Sequence, residues 1–172
     1  MTIHSGHPFL EPEADRDQAR RLRGRVGGVV TLWTSGEGSD RTGLTVSSMM
    51  VANGPEPRLL ALVDPDSDLL ERMRETGTVV VQLLSWPHRD LADAFAGTAP
   101  APGGPFRMAE FEQTPWGPRL STAETWAGAR LVAEAEAGWS VLVTCEIDEV
   151  AIGDDTSPLV HRRGRYERPG SV

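Results

Sequence analysis

The run Gly43-Leu44-Thr45-Val46-Ser47-Ser48 closes a β-branched stretch with hydroxyl groups. On a strand, Thr45 and Ser47 face one way and Val46 and Ser48 the other. Hydroxyls and strand-end N–H groups in this arrangement suit the polar edges of a flat ring or a phosphate. A second apolar run, Arg58-Leu59-Leu60-Ala61-Leu62-Val63, leads into Asp64-Pro65-Asp66-Ser67-Asp68. Ser67 or Asp66 is placed to cap a helix, whose N-terminus would offer N–H groups to a phosphate. Asp66 and Asp68 oppose that use, because carboxylates repel a phosphate. Arg72, Arg107 and Arg162 are the candidate counter-charges. A third run ends in Gln82-Leu83-Leu84-Ser85, where the Gln82 amide offers both a donor and an acceptor to a ring edge or to backbone.

The remaining reactive residue types form no such pattern. His4, His7, His88 and His161 lack the spacing of a metal site, and no HExxH occurs. The single cysteine, Cys145, excludes an intrachain disulfide and a Cys-rich zinc site. Its apolar surroundings make it a buried, inert thiol. No GxGxxG follows a strand, and Gly27-Gly28 lacks the Lys-Ser/Thr of a phosphate-binding loop.

The elements that must position these groups are mostly strands. Residues 29–34 and 42–47 form a hairpin around the turn cluster 35–40. Residues 58–64 form a third strand, whose unbroken apolar run points to burial on both sides. A short helix spans 67–76 and stops at Gly77, and a fourth strand spans 78–84. Pro87 opens a helix that carries Leu91, Ala94 and Phe95. Residues 98–104 are a loop or lid, and 106–120 are irregular. Residues 125–136 and 139–152 form a long hairpin about Gly138, because Val141, Val143, Cys145 and Ile147 alternate. A helix over 13–25 has Ala19, Leu22 and Val26 on one face to be buried. Short closing strands are expected at 159–160 and 165–166. The expectation is about seven strands and three helices in one domain, 13–168, after a flexible N-terminus, 1–12, and before a tail, 169–172.

The chain has 172 residues, 39% hydrophobic and 24% charged, which suits one soluble domain. A net charge of −8 argues against a nucleic-acid partner. No apolar run is long enough to cross a bilayer and the N-terminus lacks a secretory pattern, so a cytoplasmic location without a membrane partner is expected. Trp33 and Trp126 are placed for core or interface, while Trp86 and Trp116 border loops where they would shield a ring. Met49 and Met50 suit adaptable filling.

The order of these segments resembles the flavin reductase family with the FMN-binding split-barrel fold. Family members read Gly-Met-Thr-Ala/Val-Ser-Ser where this chain has Gly43 to Ser48, then an apolar strand ending in Asp or Asn. They continue with a strand ending near Val81-Gln82-Leu83-Leu84-Ser85 and then Leu91-Ala92-Asp93-Ala94-Phe95-Ala96-Gly97. The resemblance implies a mainly β chain, a β-barrel with short helices. It implies FMN, with FAD the alternative, lying along Thr45, Val46, Ser47 and Ser48. It further implies contacts from Val63, Asp64 and Ser67, from Gln82, Leu83 and Leu84, and from Phe106. NADH or NADPH would donate hydride, in a homodimer that supplies a separate monooxygenase. The family's Gly-Asp-His-Thr is Gly138-Trp139-Ser140-Val141 here, so its imidazole is missing. Two alternatives follow from the residues: a split-barrel flavin, deazaflavin or haem carrier without fast nicotinamide turnover, and a small barrel that recognises a protein.

Overall fold

Alternation decides the main sheet. Leu59, Ala61 and Val63, Val79 and Val81, and Val143 and Cys145 all bury the same face of their strands. A computed structural model describes residues 18–170. The helices are α1 (Gln18–Val26), α2 (Asp68–Thr76) and α3 (Arg89–Phe95). The strands begin with β1 (Gly28–Val29), β2 (Thr31–Ser35), β3 (Thr42–Val46), β4 (Met50–Ala52), β5 (Arg58–Val63) and β6 (Thr78–Leu83). They continue with β7 (Phe111–Thr114), β8 (Gly117–Leu120), β9 (Trp126–Ala137), β10 (Ser140–Ala151), β11 (Val160–Arg162) and β12 (Arg165–Glu167).

Seven strands form one antiparallel sheet in the order β3-β2-β6-β9-β10-β5-β4. No ladder joins its two edges, so the sheet curls without closing. The edges meet through chain connectivity and side chains, because β3 runs into β4 through a link of only three residues, 47–49. The expected long hairpin is present: Ser140 pairs with Ala137 around Gly138, whose φ is 59°.

Helix α2 plugs the curled sheet. Leu69, Leu70 and Met73 are fully buried among β-strand side chains, each burial contributing about 1.5–3 kcal/mol. Ser67 caps the helix by accepting from the Leu70 N–H at 3.3 Å, and Gly77 ends it with φ 73°. Helix α3 packs on β3 at Gly43, where an added Cβ would lie 2.6 Å from the Phe95 ring. That contact accounts for the glycine at the head of the hydroxyl-rich run. A separate three-stranded sheet, β1-β11-β12, packs beside α3, with the Tyr166 hydroxyl donating to Asp93 Oδ1 at 2.7 Å.

Several expectations change. The described residues hold twelve strands, not about seven. Residues 106–120 contain the hairpin β7–β8 as well as a single-turn 3₁₀ helix. Leu22 and Val26 are 65% and 75% exposed, so α1 buries no apolar face among the described residues. It is held instead by its backbone: Arg163 N–H donates to Gly24 O at 2.8 Å, and Arg162 Nε to Arg25 O at 3.1 Å. β5 is buried on one face only, with Leu62 39% exposed on the other. The 3₁₀ turn Trp86–His88 carries Pro87, and the α-helix proper begins at Arg89. No helix among the described residues is long and apolar enough to cross a membrane. His4, His7 and the expected N-terminal segment 1–12 lie outside the described residues, as do residues 171–172 of the tail.

Candidate functional site

Three strand ends converge where the hydroxyl-rich run finishes. Thr31 pairs with Val46 on one side and with Leu83 on the other, so the ends of β3 and β6 flank β2. The fully buried Thr31 hydroxyl donates to Val46 O at 2.6 Å and accepts from Trp33 Nε1 at 3.0 Å. This pins the backbone one residue before Ser47. Behind it, Val30 O accepts from Leu84 N–H at 3.0 Å, and Leu159 N–H donates to Leu84 O at 3.1 Å. β1 crosses so close that a Cβ on Gly28 would lie 2.2 Å from Ser47 O. Only glycine lets the two backbones approach that closely.

The second limb comes from β5. Ser48 Oγ donates to Leu62 O at 2.9 Å and accepts from Leu62 N–H at 3.0 Å. One hydroxyl thus satisfies both backbone groups of Leu62 and splices the β3–β4 link onto the strand that leads into Asp64. Asp64 Oδ1 accepts from Asp66 N–H at 2.8 Å, while Asp64 O accepts from Ser67 Oγ at 2.8 Å and from Ser67 N–H at 3.1 Å. These bonds fold the turn that presents the N-terminus of α2. Asp66 and Asp68 are both exposed.

The sequence-nominated residues divide by what already holds them. Val46, Val63 and Leu84 are buried in the core, at 4%, 2% and 1% exposure. Thr45 Oγ1 donates to Ala92 O of α3 at 2.7 Å. Gln82 is fully buried, and both ends of its amide are taken: Nε2 donates to Thr34 Oγ1 at 3.0 Å, and Oε1 accepts from Leu120 N–H at 2.6 Å. Its amide is therefore committed to the join between β2, β6 and β8. Phe106 lies away from the strand ends in its partners, edge-on to Phe95 at 4.9 Å and Phe111 at 4.8 Å, with the Arg41 guanidinium 4.5 Å above its ring. Leu83 is partly buried, its N–H donating to Thr125 O at 3.0 Å. Ser47 is partly buried, and its hydroxyl has no protein partner among the described residues.

Of the candidate counter-charges, Arg72 pairs with Glu75 at 2.5 Å and faces Asp40 at 4.0 Å, while its buried Nε has no partner among the described residues; Arg107 packs on Gly103, and Arg162 Nε donates to Arg25 O at 3.1 Å. Trp116 sits on Gly128 of β9 and donates from Nε1 to Asp148 at 3.0 Å. Trp139 is 72% exposed at the tip of the β9–β10 hairpin, beside Ser140. Cys145 is fully buried, which pushes its thiol up to about 12. No group of His, Cys, Asp and Glu suited to a metal occurs among the described residues.

One positioning residue escaped the sequence reading. His88 Nδ1 accepts from Ser85 N–H at 3.0 Å, which leaves Nε2–H to meet Thr122 Oγ1 at 2.9 Å. Burial lowers its pKa and favours that neutral form. The signal was present as Ser-x-x-His, the spacing of a capping box.

A flat ligand at these strand ends needs an unpaired polar group in a partly dry setting. The Ser47 hydroxyl meets that requirement, and the turn at Asp64–Ser67 sets a helix N-terminus on the adjoining limb. The arrangement defines a curled, unclosed barrel that sets its strand ends beside the α2 N-terminus, a candidate ligand platform. Residues 23–170 match the family model described as a flavin reductase like domain, and the chain belongs to that family. It is 28% identical over 156 residues to the FMN reductase (NADH) RutF of Ancylobacter novellus, covering 90% of this chain and 86% of that one. The solved structure of the Streptomyces globisporus C-1027 NADH:FAD oxidoreductase SgcE6 with NAD and FAD fragments superposes with a TM-score of 0.80 at 22% identity, covering 95% and 99% of the two chains. The styrene monooxygenase flavin reductase from Pseudomonas putida S12 superposes with a TM-score of 0.78 at 16% identity, covering 91% and 99%. These likenesses establish the split-barrel fold.

Proposed function

We propose that the protein is an FMN reductase that takes hydride from NADH. The observation that carries this reading is the free Ser47 hydroxyl at the strand-end platform, within a family match that spans nearly the whole described chain. Flavin, when bound, supplies the hydride-accepting chemistry. The chain's part is to hold and orient. Ser47 and the neighbouring backbone would grip the ring edge, and the α2 N-terminus would meet the phosphate. Val46, Val63 and Leu84 keep the floor beneath them dry and rigid, which fixes the geometry of approach. No acid–base side chain is needed for hydride transfer, so Ser140 in place of the family histidine is compatible with turnover.

We infer a homodimer as the working form. β4 is an edge strand with Met50 and Val51 59% and 55% exposed, next to the exposed Leu62 of β5. Pairing such an edge with a second copy would cover it. Reduced flavin would pass to a separate monooxygenase, as the name of the Pseudomonas relative indicates for that protein.

Mixing the purified protein with FMN and NADH and following loss of the reduced-nicotinamide absorbance tests the reading. Catalytic turnover supports it. Retention of a coloured cofactor without NADH or NADPH oxidation would instead select the carrier alternative.

A further inference from the structure

Cations are not spread evenly over this chain. Its net charge is −8, yet residues 18–29 and 160–168 together hold eight arginines and a single acid, Glu167. The fold sets the two segments side by side. Arg163 N–H donates to Gly24 O at 2.8 Å, Arg162 Nε donates to Arg25 O at 3.1 Å, and β1 pairs with β11 at Gly28 and His161. Arg21, Arg23, Arg25, Arg163 and Arg165 are exposed there, and none forms an ion pair among the described residues. Elsewhere Arg58, Arg72, Arg74, Arg119 and Arg130 each meet a carboxylate.

Charge is only half of this face. Leu22 and Val26 lie one helical turn apart on α1 and are exposed, and the exposed Val29 follows on β1. Apolar surface rimmed by arginines marks a protein-binding patch. The face also runs up to the candidate platform, because β1 leaves α1 and passes so close to Ser47 O that Gly28 has no room for a side chain. A molecule docked on it stands beside the point where reduced flavin leaves.

The chemistry selects the occupant. A phosphate polyanion would meet the arginines but gain nothing from Leu22 and Val26. Beyond the patch it would be repelled, since residues 30–159 carry twenty acids against eight arginines. A two-fold pair of this chain through the same face would set arginine against arginine. A protein surface whose carboxylates surround an apolar centre satisfies both parts.

We propose that the basic face of α1 and β11–β12 docks an acidic protein partner, the enzyme that takes reduced flavin from the platform. The partner's role rests on the flavin reductase reading, but docking itself is measurable without turnover. The probe is a fluorescein-labelled amphipathic peptide of glutamate and leucine, with its glutamine–leucine counterpart as control. Fluorescence anisotropy follows its binding to the full chain, so that the four acids from Glu11 to Asp17 are present as competitors. The same titration is run on Arg21→Glu/Arg25→Glu and on Leu22→Ser/Val26→Ser, whose side chains are exposed and whose folding is checked by thermal unfolding. The glutamate peptide binds the unaltered chain, and each double variant weakens it roughly tenfold. Binding also weakens between about 50 and about 300 mM salt, and the glutamine peptide does not bind. NADH oxidation with FMN alone is unchanged in both variants. A loss confined to the arginine variant marks unspecific charge attraction and overturns the proposal. No binding, equal binding of the glutamine peptide, or tighter binding of phosphatidylglycerol-containing vesicles or duplex DNA overturns it too. So does self-association of the chain that the arginine variant abolishes, which would put a second copy on this face. Absence of NADH turnover with peptide binding intact would support the docking face and overturn the reductase reading.

Discussion

Replacing Gln82 by leucine separates a core role from a ligand role. The amide is fully buried and bridges three strands, accepting from Leu120 N–H at 2.6 Å and donating to Thr34 Oγ1 at 3.0 Å. Leucine fills similar space but offers neither group. The Leu120 N–H is then buried without a partner, which costs about 1–3 kcal/mol. Losing the bond to Thr34 costs about 1 kcal/mol more, and the Thr34 hydroxyl still donates to Pro118 O. The variant is therefore less stable by about 2–4 kcal/mol. For a chain of this length that lowers Tm by about 4–16 °C. Thermal and urea unfolding give the stability, and FMN titration at a temperature where both proteins are folded gives the affinity. The expected result is a large stability loss with FMN affinity within about twofold. A variant that melts with the parent while losing tenfold in FMN affinity would refute the reasoning and return the amide to the ring edge.

Gly28→Ala places a Cβ 2.2 Å from Ser47 O, so the strand-end backbone must shift. FMN affinity is expected to fall at least fivefold, with a stability loss of about 1–3 kcal/mol in denaturant titration. His88 has a folded pKa lowered by burial from 6.5, so the unfolded chain binds more protons below that value. Stability therefore falls as pH drops from about 6.5 through the folded value, and urea midpoints across about pH 5–8 show it. In His88→Gln, whose amide keeps one acceptor and one donor, that part of the slope disappears. Cys145, with its thiol pushed up to about 12 by burial, stays unalkylated by iodoacetamide in the native protein and reacts once the chain is unfolded.

The sequence carried the elements further than it carried the partners. Period-two alternation from Val141 to Ile147 and Gly138 between the arms were enough to find the long hairpin. Ser67 and Gly77 marked both ends of α2. The same kind of signal failed at α1, because Leu22 and Val26 define an apolar stripe but not whether anything packs on it. It failed at β5 because an unbroken apolar run does not say which face of a strand a sheet covers. The hairpin β7–β8 was missed because its strands are short and carry Glu112, Gln113, Pro118 and Arg119. At the site, the positions of the strand ends were legible, and the fates of their side chains were not. Thr45 reaches Ala92, Gln82 reaches Thr34 and Leu120, and Ser48 reaches Leu62. Each partner lies on another element, so local spacing holds no trace of it. Only Ser47 kept the free hydroxyl that the whole run had suggested.

Backbone amide NMR during FMN titration tests the central claim most directly. The account predicts the largest shift changes at Thr45–Ser48, at Asp64–Ser67 and at Leu83–Ser85, with Gln113 and Thr114 unmoved. Changes centred on Gly36, Asp40 and Gln113 at the far end of β2, with the strand-end amides silent, would contradict it.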